Sequence, residues 1–304
     1  MKDLGKLFLY LLATVLLGAL LAPPIFWGAH LLAAQSGNQA FTAFVAKTDF
    51  QRFFNRAILI SAILLLFPLI RAIRMPDRAA LGLETDTAPW RHLITGFLIA
   101  FLSMAVMAGL ALWIGPYKLR TSIPWDKMWL LPLTAITVSV VEEYLFRGGI
   151  QGIAQRTLTN WMAIFFVSGL FAIVHFLKPP ATGIATADVY WSSGFDLLTR
   201  TFWQFGEPKL LLWGVTTMFL VGAVLGYARL RTRSLWMSIG LHSGWVLSKM
   251  SFSVITRRSH SDESWPWFGG DILVGLVPVL TLLVTGWVVW WWLNHADQNR
   301  YRRW

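Results

Sequence analysis

The chain has 304 residues, of which 56% are hydrophobic and 13% are charged, and it contains no cysteine. This composition is typical of a protein that crosses a membrane several times, not of a globular domain. The absence of cysteine excludes disulfides and thiolate metal sites. The net charge of +11 falls mainly in short loops, which indicates a signal for membrane topology and no nucleic-acid partner.

Taken in chain order, the first three hydrophobic stretches cover residues 6–27, 56–73 and 92–114. Each is long enough to cross the hydrocarbon core as an α-helix. The first is expected to be a retained anchor, because no small-residue cleavage site of the kind that ends a signal peptide follows it. The adjacent Pro23 and Pro24 are expected to interrupt it near its far end.

The fourth predicted helix begins near Lys127 and continues to about Arg156. The 29 residues from 128 to 156 correspond to roughly 43 Å of helix, which exceeds the ~30 Å hydrocarbon core. The last turns, which carry Arg147 and Gln151, are therefore expected to project into or beyond the membrane interface.

The remaining stretches cover residues 161–177, 209–228, 234–255 and 271–293, so the sequence predicts about eight transmembrane helices. In the long loop of residues 178–208, apolar side chains recur at helical spacing. These are Phe195, Leu198, Phe202 and Phe205. This spacing predicts an amphipathic helix at the membrane surface. The fold class that follows is an all-α, polytopic integral membrane helical bundle.

Two adjacent carboxylates, Glu142 and Glu143, are the only acidic residues well inside a hydrophobic stretch; the other 13 of the 15 lie in loops, at termini or, for Asp271, at the first turn of a span. A charge at that depth costs roughly 2.5 kcal/mol even on a lenient scale, so such residues are candidates for function. A structural alternative is that Glu143 and Arg147, four residues apart on one helix face, form a buried ion pair. That alternative leaves Glu142 unexplained.

Two histidines are predicted to reach the depth of these glutamates. A turn centred between residues 158 and 159 places the glutamates about 16 residues before it and His175 about 16 residues after it, at one depth of an antiparallel hairpin. His242 lies about eight residues into its span, roughly 12 Å from the same side. Either histidine alone is more simply a packing residue, but two histidines and two glutamates converging in lipid indicate a site. The other four histidines lie in loops or at span ends: His30, His92, His260 and His295.

The chemistry of this set favours hydrolysis. A partly desolvated glutamate is an effective general base for water, while neutral histidines bind metals or donate to an oxyanion. Zn²⁺ held by Glu142, His175 and His242, with water in the fourth position, is one arrangement, and a metal-free site is the other. No serine lies in a nucleophile-elbow context.

Three motifs in this order carry a family resemblance. Glu142-Glu143-Tyr-Leu-Phe-Arg147 matches an EExxxR signature, Phe171-Ala-Ile-Val-His175 matches FxxxH, and His242 lies in a third motif. At these residues the chain resembles the CPBP intramembrane proteases, which include CAAX prenyl endopeptidases and bacterial bacteriocin-processing or immunity relatives. The resemblance covers about residues 128–256.

The resemblance implies a membrane-embedded endopeptidase of the glutamate or metallo type. Glu142 would activate water, and His175 and His242 would bind metal or stabilise the tetrahedral intermediate. Glu143 with Arg147 would hold the helix register and polarise the site. The implied partners are the lipid bilayer and a membrane-bound protein or peptide substrate, CAAX-type proteins being one class.

One position departs from the family pattern. The third motif usually has Asn or Asp four residues after the histidine, where this chain has Val246, so an oxyanion contact from that position is missing. Lys249 shares the helix face of His242 and is a candidate substitute. A non-catalytic immunity or scaffold relative of the same fold is therefore one alternative. A proton-coupled transporter is another, although the chain lacks the paired broken helices of an inverted repeat.

The domain and localisation predictions complete this interpretation. We expect one membrane domain over residues 1–304, with N-terminal spans in 1–127, a catalytic core in 128–256, and a last span with a basic tail in 257–304. The compact basic turn at residues 229–233 and the tail at 300–303 place both termini in the cytoplasm by the positive-inside rule. The expected location is the inner membrane of a bacterial cell.

Overall fold

A computed structural model describes residues 2–74, 81–83, 86–177, 179, 184, 188–259 and 264–296. Of the described residues, 78% are helical, which confirms the predicted all-α bundle. The α-helices are α1 (Lys2–Gln35), α2 (Gln39–Ala46), α3 (Phe50–Ile73), α4 (Pro89–Ile114), α5 (Leu131–Glu143), α6 (Gln151–Ala154), α7 (Asn160–Phe176), α8 (Ser193–Arg200), α9 (Pro208–Thr232), α10 (Trp236–Ile255) and α11 (Leu276–Trp291). Two short strands are β1 (Tyr117–Leu119) and β2 (Thr256–Arg258). Residues Tyr144–Ile150 and Trp292–Ala296 are π-helical, and Trp125–Lys127 and Trp203–Gly206 are 3₁₀-helical.

Each predicted span contains a helix, and six helical segments of the described residues are long and apolar enough to cross a membrane. The other two predicted spans correspond to α7, which is apolar but has 17 residues, and α10, which has 20 residues. The sequence of α10 is rich in serine. The Ser243 and Ser248 hydroxyls donate to carbonyls four residues back, at 2.7 Å each. Such internal bonds let a polar helix be buried. The chain is thus an integral membrane protein with a polytopic helical bundle.

Several predicted helix bounds were wrong. The first span does not break at Pro23 and Pro24, because α1 continues through both to Gln35. Packing against neighbouring helices makes proline tolerable inside membrane helices. The second span begins at Phe50 instead of Arg56. The eighth begins at Leu276, so Asp271 lies in the preceding loop.

The predicted amphipathic helix exists in a shorter form. Helix α8 contains Phe195 and Leu198, whereas Phe202 follows its end and Phe205 lies in the 3₁₀ turn. The predicted basic tail at residues 300–303 and His260 lie outside the described residues.

Contacts divide the chain into two compact units, residues 1–74 with 174–207 and residues 75–173 with 208–304. These bounds do not coincide with the predicted segment limits, and the single domain stays a prediction. In the first unit, α1 packs closely along α3: a side-chain carbon on Gly18 would lie 2.6 Å from a side-chain carbon of Ile58. Buried phenylalanines fill the space between α1 and α3, and Leu197 of α8 joins this core.

The second unit is organised by α4 and α10. A side-chain carbon on Gly244 of α10 would lie 2.6 Å from the carbonyl oxygen of Phe97, so only glycine permits this approach of the two backbones. Strands β1 and β2 pair antiparallel and connect the C-terminal ends of α4 and α10. The two helices therefore run in the same direction.

A buried polar cluster connects the other ends of α4 and α10. Asp86 Oδ2 lies 2.7 Å from Nδ1 of His92 and accepts a hydrogen bond of 2.5 Å from the Ser234 hydroxyl. Its Oδ1 accepts the Ala88 N–H at 2.8 Å. Burial raises the pKa of Asp86, but these hydrogen bonds outweigh it and hold that pKa below its usual value. His92 is only 1% exposed, so it has a packing role that its position at a span end did not indicate.

Candidate active site

The two adjacent glutamates lie at the end of α5, where the helix changes its geometry. Glu143 is the last residue of α5, and the π-helical turn Tyr144–Ile150 follows directly. All residues from 145 to 154 are buried, so this segment forms the centre of the second unit. Short π-helical segments are rare and occur frequently at functional sites.

Glu143 contacts both Arg147 and His242. Its Oε1 accepts a hydrogen bond of 2.9 Å from Nη1 of Arg147 and lies 2.8 Å from Nδ1 of His242. Glu143 and Arg147 are both fully buried. The predicted ion pair is therefore present, and it also orients a histidine 99 residues further along the chain.

This arrangement determines how His242 presents its ring. Since the carboxylate of Glu143 can only accept, Nδ1 carries the proton, and Nε2 faces the other glutamate. Nε2 lies 3.8 Å from Oε2 of Glu142. The Glu142 side chain is 21% exposed, whereas that of Glu143 is 0% exposed. The two side chains are chemically identical, so their different solvent exposure comes from their surroundings. Such a difference is expected where neighbouring acids have different roles.

Phe171 covers the ion pair and the histidine. Its ring centroid lies 4.4 Å from Cζ of Arg147 and 6.1 Å from the His242 ring centroid. The face of an aromatic ring attracts a guanidinium, which favours Arg147 in this position. His175 follows Phe171 by four residues, on the same face of α7, and is half-buried. The boundary between the two units falls between residues 173 and 174, and His175 stays a predicted site residue.

The glutamate helix carries a buried polar stripe that the sequence analysis missed. Ser139, Glu143, Arg147 and Gln151 follow one another at four-residue spacing, and each is 0% exposed. Arg147 and Gln151, which were expected to project into or beyond the interface, are both enclosed by the second unit. The signal was available as a polar period of four residues within an apolar stretch.

Two side chains of this stripe donate hydrogen bonds to the carbonyl oxygens of two glycines of α9. The carbonyl oxygen of Gly222 accepts a hydrogen bond of 3.4 Å from Nη2 of Arg147, and that of Gly226 accepts one of 3.1 Å from Nε2 of Gln151. A side-chain carbon on Gly222 would lie 2.8 Å from Cα of Ser168. Small residues four apart allow close helix packing in membranes, and here they also expose carbonyls to the stripe.

Two further residues of α10, Val246 and Lys249, follow His242. Val246 is half-buried on α10 and offers no polar atom. The ammonium of Lys249 lies 3.8 Å from Oδ1 of Asp271, and its side chain is 44% exposed. We therefore do not include Lys249 in the mechanism proposed below.

Within the described residues, no group of three or more His, Cys, Asp or Glu side chains is arranged to hold a metal ion. Zinc stays a prediction, and no step of the mechanism depends on it.

Comparison with protein-family models matches residues 124–248 to Type II CAAX prenyl endopeptidase Rce1-like. The family resemblance is thereby confirmed. This Rce1-like region contains all three motifs and both glutamates, whereas helices α1 to α4 and α11 lie outside it. The description of that family is a prenyl endopeptidase, and the match covers 125 of the 304 residues. The chain has no match among curated proteins.

Proposed function

We propose that this protein is an intramembrane endopeptidase that hydrolyses peptide bonds of membrane-associated substrates with water activated by Glu142. The observation that supports this proposal is the unequal environment of the two adjacent carboxylates. Glu143 is fully buried and engaged by Arg147 and His242, while Glu142 is partly exposed beside His242 Nε2. In this proposal, Glu142 is the carboxylate that receives a water molecule and its proton.

In the proposed reaction, Glu142 takes a proton from water as the water oxygen attacks the peptide carbonyl carbon. The new C–O bond produces a tetrahedral intermediate with a negative oxygen. Glu142 then gives the proton to the leaving nitrogen, and the C–N bond breaks. One base and acid thus serves both steps, and no covalent enzyme intermediate is needed.

His242 stabilises the negative oxygen in this proposal. The Glu143 carboxylate, 2.8 Å from Nδ1, holds the imidazole so that Nε2 faces the reacting oxygen; when Nε2 carries a proton, it donates that hydrogen bond to the oxyanion. Arg147 holds Glu143 in place through their 2.9 Å bond. His175 would contribute a second donor or, if zinc is bound, a second imidazole ligand. Zinc would supply a Lewis acid and lower the pKa of bound water.

The name of the matched family suggests CAAX-type proteins as the substrate class. Such substrates approach from the membrane, which agrees with an active site inside a helical bundle. A non-catalytic immunity or scaffold role is the second candidate, and it is favoured by Val246, where the family pattern has Asn or Asp.

The experiment that tests the proposal compares wild type with Glu142→Gln. The amide keeps the shape of the side chain but cannot accept the proton, so we expect cleavage of a lipid-anchored, fluorescence-quenched peptide library to fall by roughly 10²–10⁴-fold. The matched control is Glu207→Gln, the same change at an exposed position, which should leave cleavage unchanged.

Comparison of the membrane peptidomes of cells that carry wild type or Glu142→Gln identifies the natural substrate. If purified Glu142→Gln retains most of the wild-type cleavage, the base assignment is wrong. If wild type cleaves no peptide of the library and both peptidomes agree, the scaffold role is favoured instead.

A further inference from the structure

The two-stranded sheet presents three cations on one face. Lys118 of β1 pairs with Arg257 of β2, and the N–H of Arg120 extends the ladder by donating to the carbonyl of Ile255 at 2.9 Å. Directly opposed residues share one face of an antiparallel pair, and residues two apart on a strand do so as well. Lys118, Arg120 and Arg257 therefore share a face, and all three are exposed.

Part of the opposite face of the sheet packs on the protein. The Tyr117 ring centroid lies 5.0 Å from that of Phe252, and the Thr256 hydroxyl donates to the carbonyl oxygen of Phe252. Arg258 shares this second face and donates to the carbonyl oxygen of Gly270 at 2.8 Å. The cationic face is thus held outward by a fixed packing arrangement.

The three cations carry the same charge on one face. Among the described residues, none of them forms an ion pair, and the nearby Asp271 is engaged by Lys249. Like charges directly opposite on paired strands are destabilising. Charged side chains on exposed strands can prevent aggregation. Preventing aggregation does not require two charges of the same sign on directly opposed residues. The arrangement is better explained by an anionic ligand that lies over the face.

The position of the sheet indicates which anion this is. β1 begins three residues after the end of α4, and β2 follows α10 directly. Helix α4 has 26 residues and is a candidate membrane span, so its end lies at the depth of the lipid head groups. Trp113 in its last turn is 83% exposed, as is typical of aromatic residues at the membrane interface.

We propose that the face formed by Lys118, Arg120 and Arg257 binds the phosphate of anionic phospholipid head groups. The proposal does not depend on the proposed peptidase activity, because the sheet lies at the C-terminal end of α10 and His242 lies near its N-terminal end. Anionic lipid would relieve the repulsion between Lys118 and Arg257 and secure the connection between α4 and α10.

The test uses the full chain in detergent and titrates a short-chain phosphatidylglycerol, with short-chain phosphatidylcholine as the neutral reference, by native mass spectrometry. Neutralising each cation to glutamine should raise the dissociation constant for phosphatidylglycerol about fivefold. The triple variant should therefore bind on the order of 100-fold more weakly. The matched control is Leu119→Gln, an exposed position on the opposite face of the same strand, which should bind as wild type does.

A second measurement keeps the proposal falsifiable if the triple variant folds poorly. In phosphatidylcholine nanodiscs, the single variant Lys118→Gln should melt at a higher temperature than wild type, because it removes the like-charge pair. In nanodiscs of equal parts phosphatidylcholine and phosphatidylglycerol, this advantage should disappear.

Four results would overturn the proposal. The first is a triple variant that binds phosphatidylglycerol as tightly as wild type does, and the second is a triple variant whose binding of phosphatidylcholine is weakened equally. The third is stabilisation of the protein by inorganic phosphate or an acidic peptide but not by phosphatidylglycerol. The fourth is a Lys118→Gln variant that melts below wild type in phosphatidylcholine nanodiscs.

Discussion

Replacing Glu143 with glutamine should destabilise the protein strongly, because it leaves a buried cation without its partner. Arg147 is 0% exposed and its 2.9 Å bond to Glu143 is its only carboxylate hydrogen bond among the described residues. Breaking one side of a buried ion pair typically costs 3–5 kcal/mol. Arg147 would keep its 3.4 Å bond to the Gly222 carbonyl and its contact with the Phe171 ring. We therefore expect a loss near the lower end, about 3 kcal/mol.

The assay is unfolding of the purified protein in mixed micelles by increasing SDS, followed by circular dichroism. Glu142→Gln is the matched control, since the Glu142 side chain is partly exposed and the same chemical change should alter the unfolding free energy little. The double variant Glu143→Gln/Arg147→Met should recover most of the loss, because it removes the uncompensated charge.

Peptide cleavage should remain low in that double variant, since His242 still lacks its anionic partner. Equal unfolding free energies for Glu143→Gln and Glu142→Gln would refute this reasoning. They would show that the Glu143–Arg147 pair does not compensate a buried charge.

Three further predictions concern metal, pH and orientation. If zinc is bound, metal analysis should find about one ion per chain, lost when either site histidine becomes alanine, and a chelator should abolish cleavage reversibly; activity in a metal-free preparation would contradict this. The pKa of Asp86 is lowered in the folded state from its usual value of 3.8. The ionised carboxylate therefore stabilises the fold at pH values above 3.8, and this contribution should be lost as the pH falls below 3.8. Asp86→Asn should flatten that part of the stability curve. Single cysteines at Thr159 and Thr232 should react with impermeant reagent only from the cytoplasmic side, and one at Thr186, outside the described residues, should react in intact cells; reversed labelling would invert the orientation.

The sequence was sufficient for what depends on local pattern. Hydrophobic length predicted the membrane helices, and the cost of burying charge identified the glutamates. The bounds of the first helix were less predictable, since the two prolines do not break α1. The cluster around Asp86 could not be predicted, because Ser234 lies 148 residues away from it and no periodicity links them.

The four-residue polar period explains why the helix becomes π-helical directly after the glutamates. In an α-helix, a step of four residues turns about 40° too far, so a stripe at that spacing drifts around the axis. A π-helix has more residues per turn, and the segment Tyr144–Ile150 turns the stripe back, which keeps Arg147 and Gln151 aligned toward α9.

The same geometry gives the two glutamates different positions. Adjacent residues of an α-helix point about 100° apart, so when Glu143 joins the buried stripe, Glu142 must leave it. Glu142 then lies beside the outer nitrogen of His242, at 3.8 Å, with part of its side chain exposed. A single glutamate could not both neutralise Arg147 and serve as a base, because its charge would be held by the guanidinium. Two consecutive glutamates divide these tasks: Glu143 fixes the histidine and the arginine, and Glu142 remains available to the water that we propose it activates.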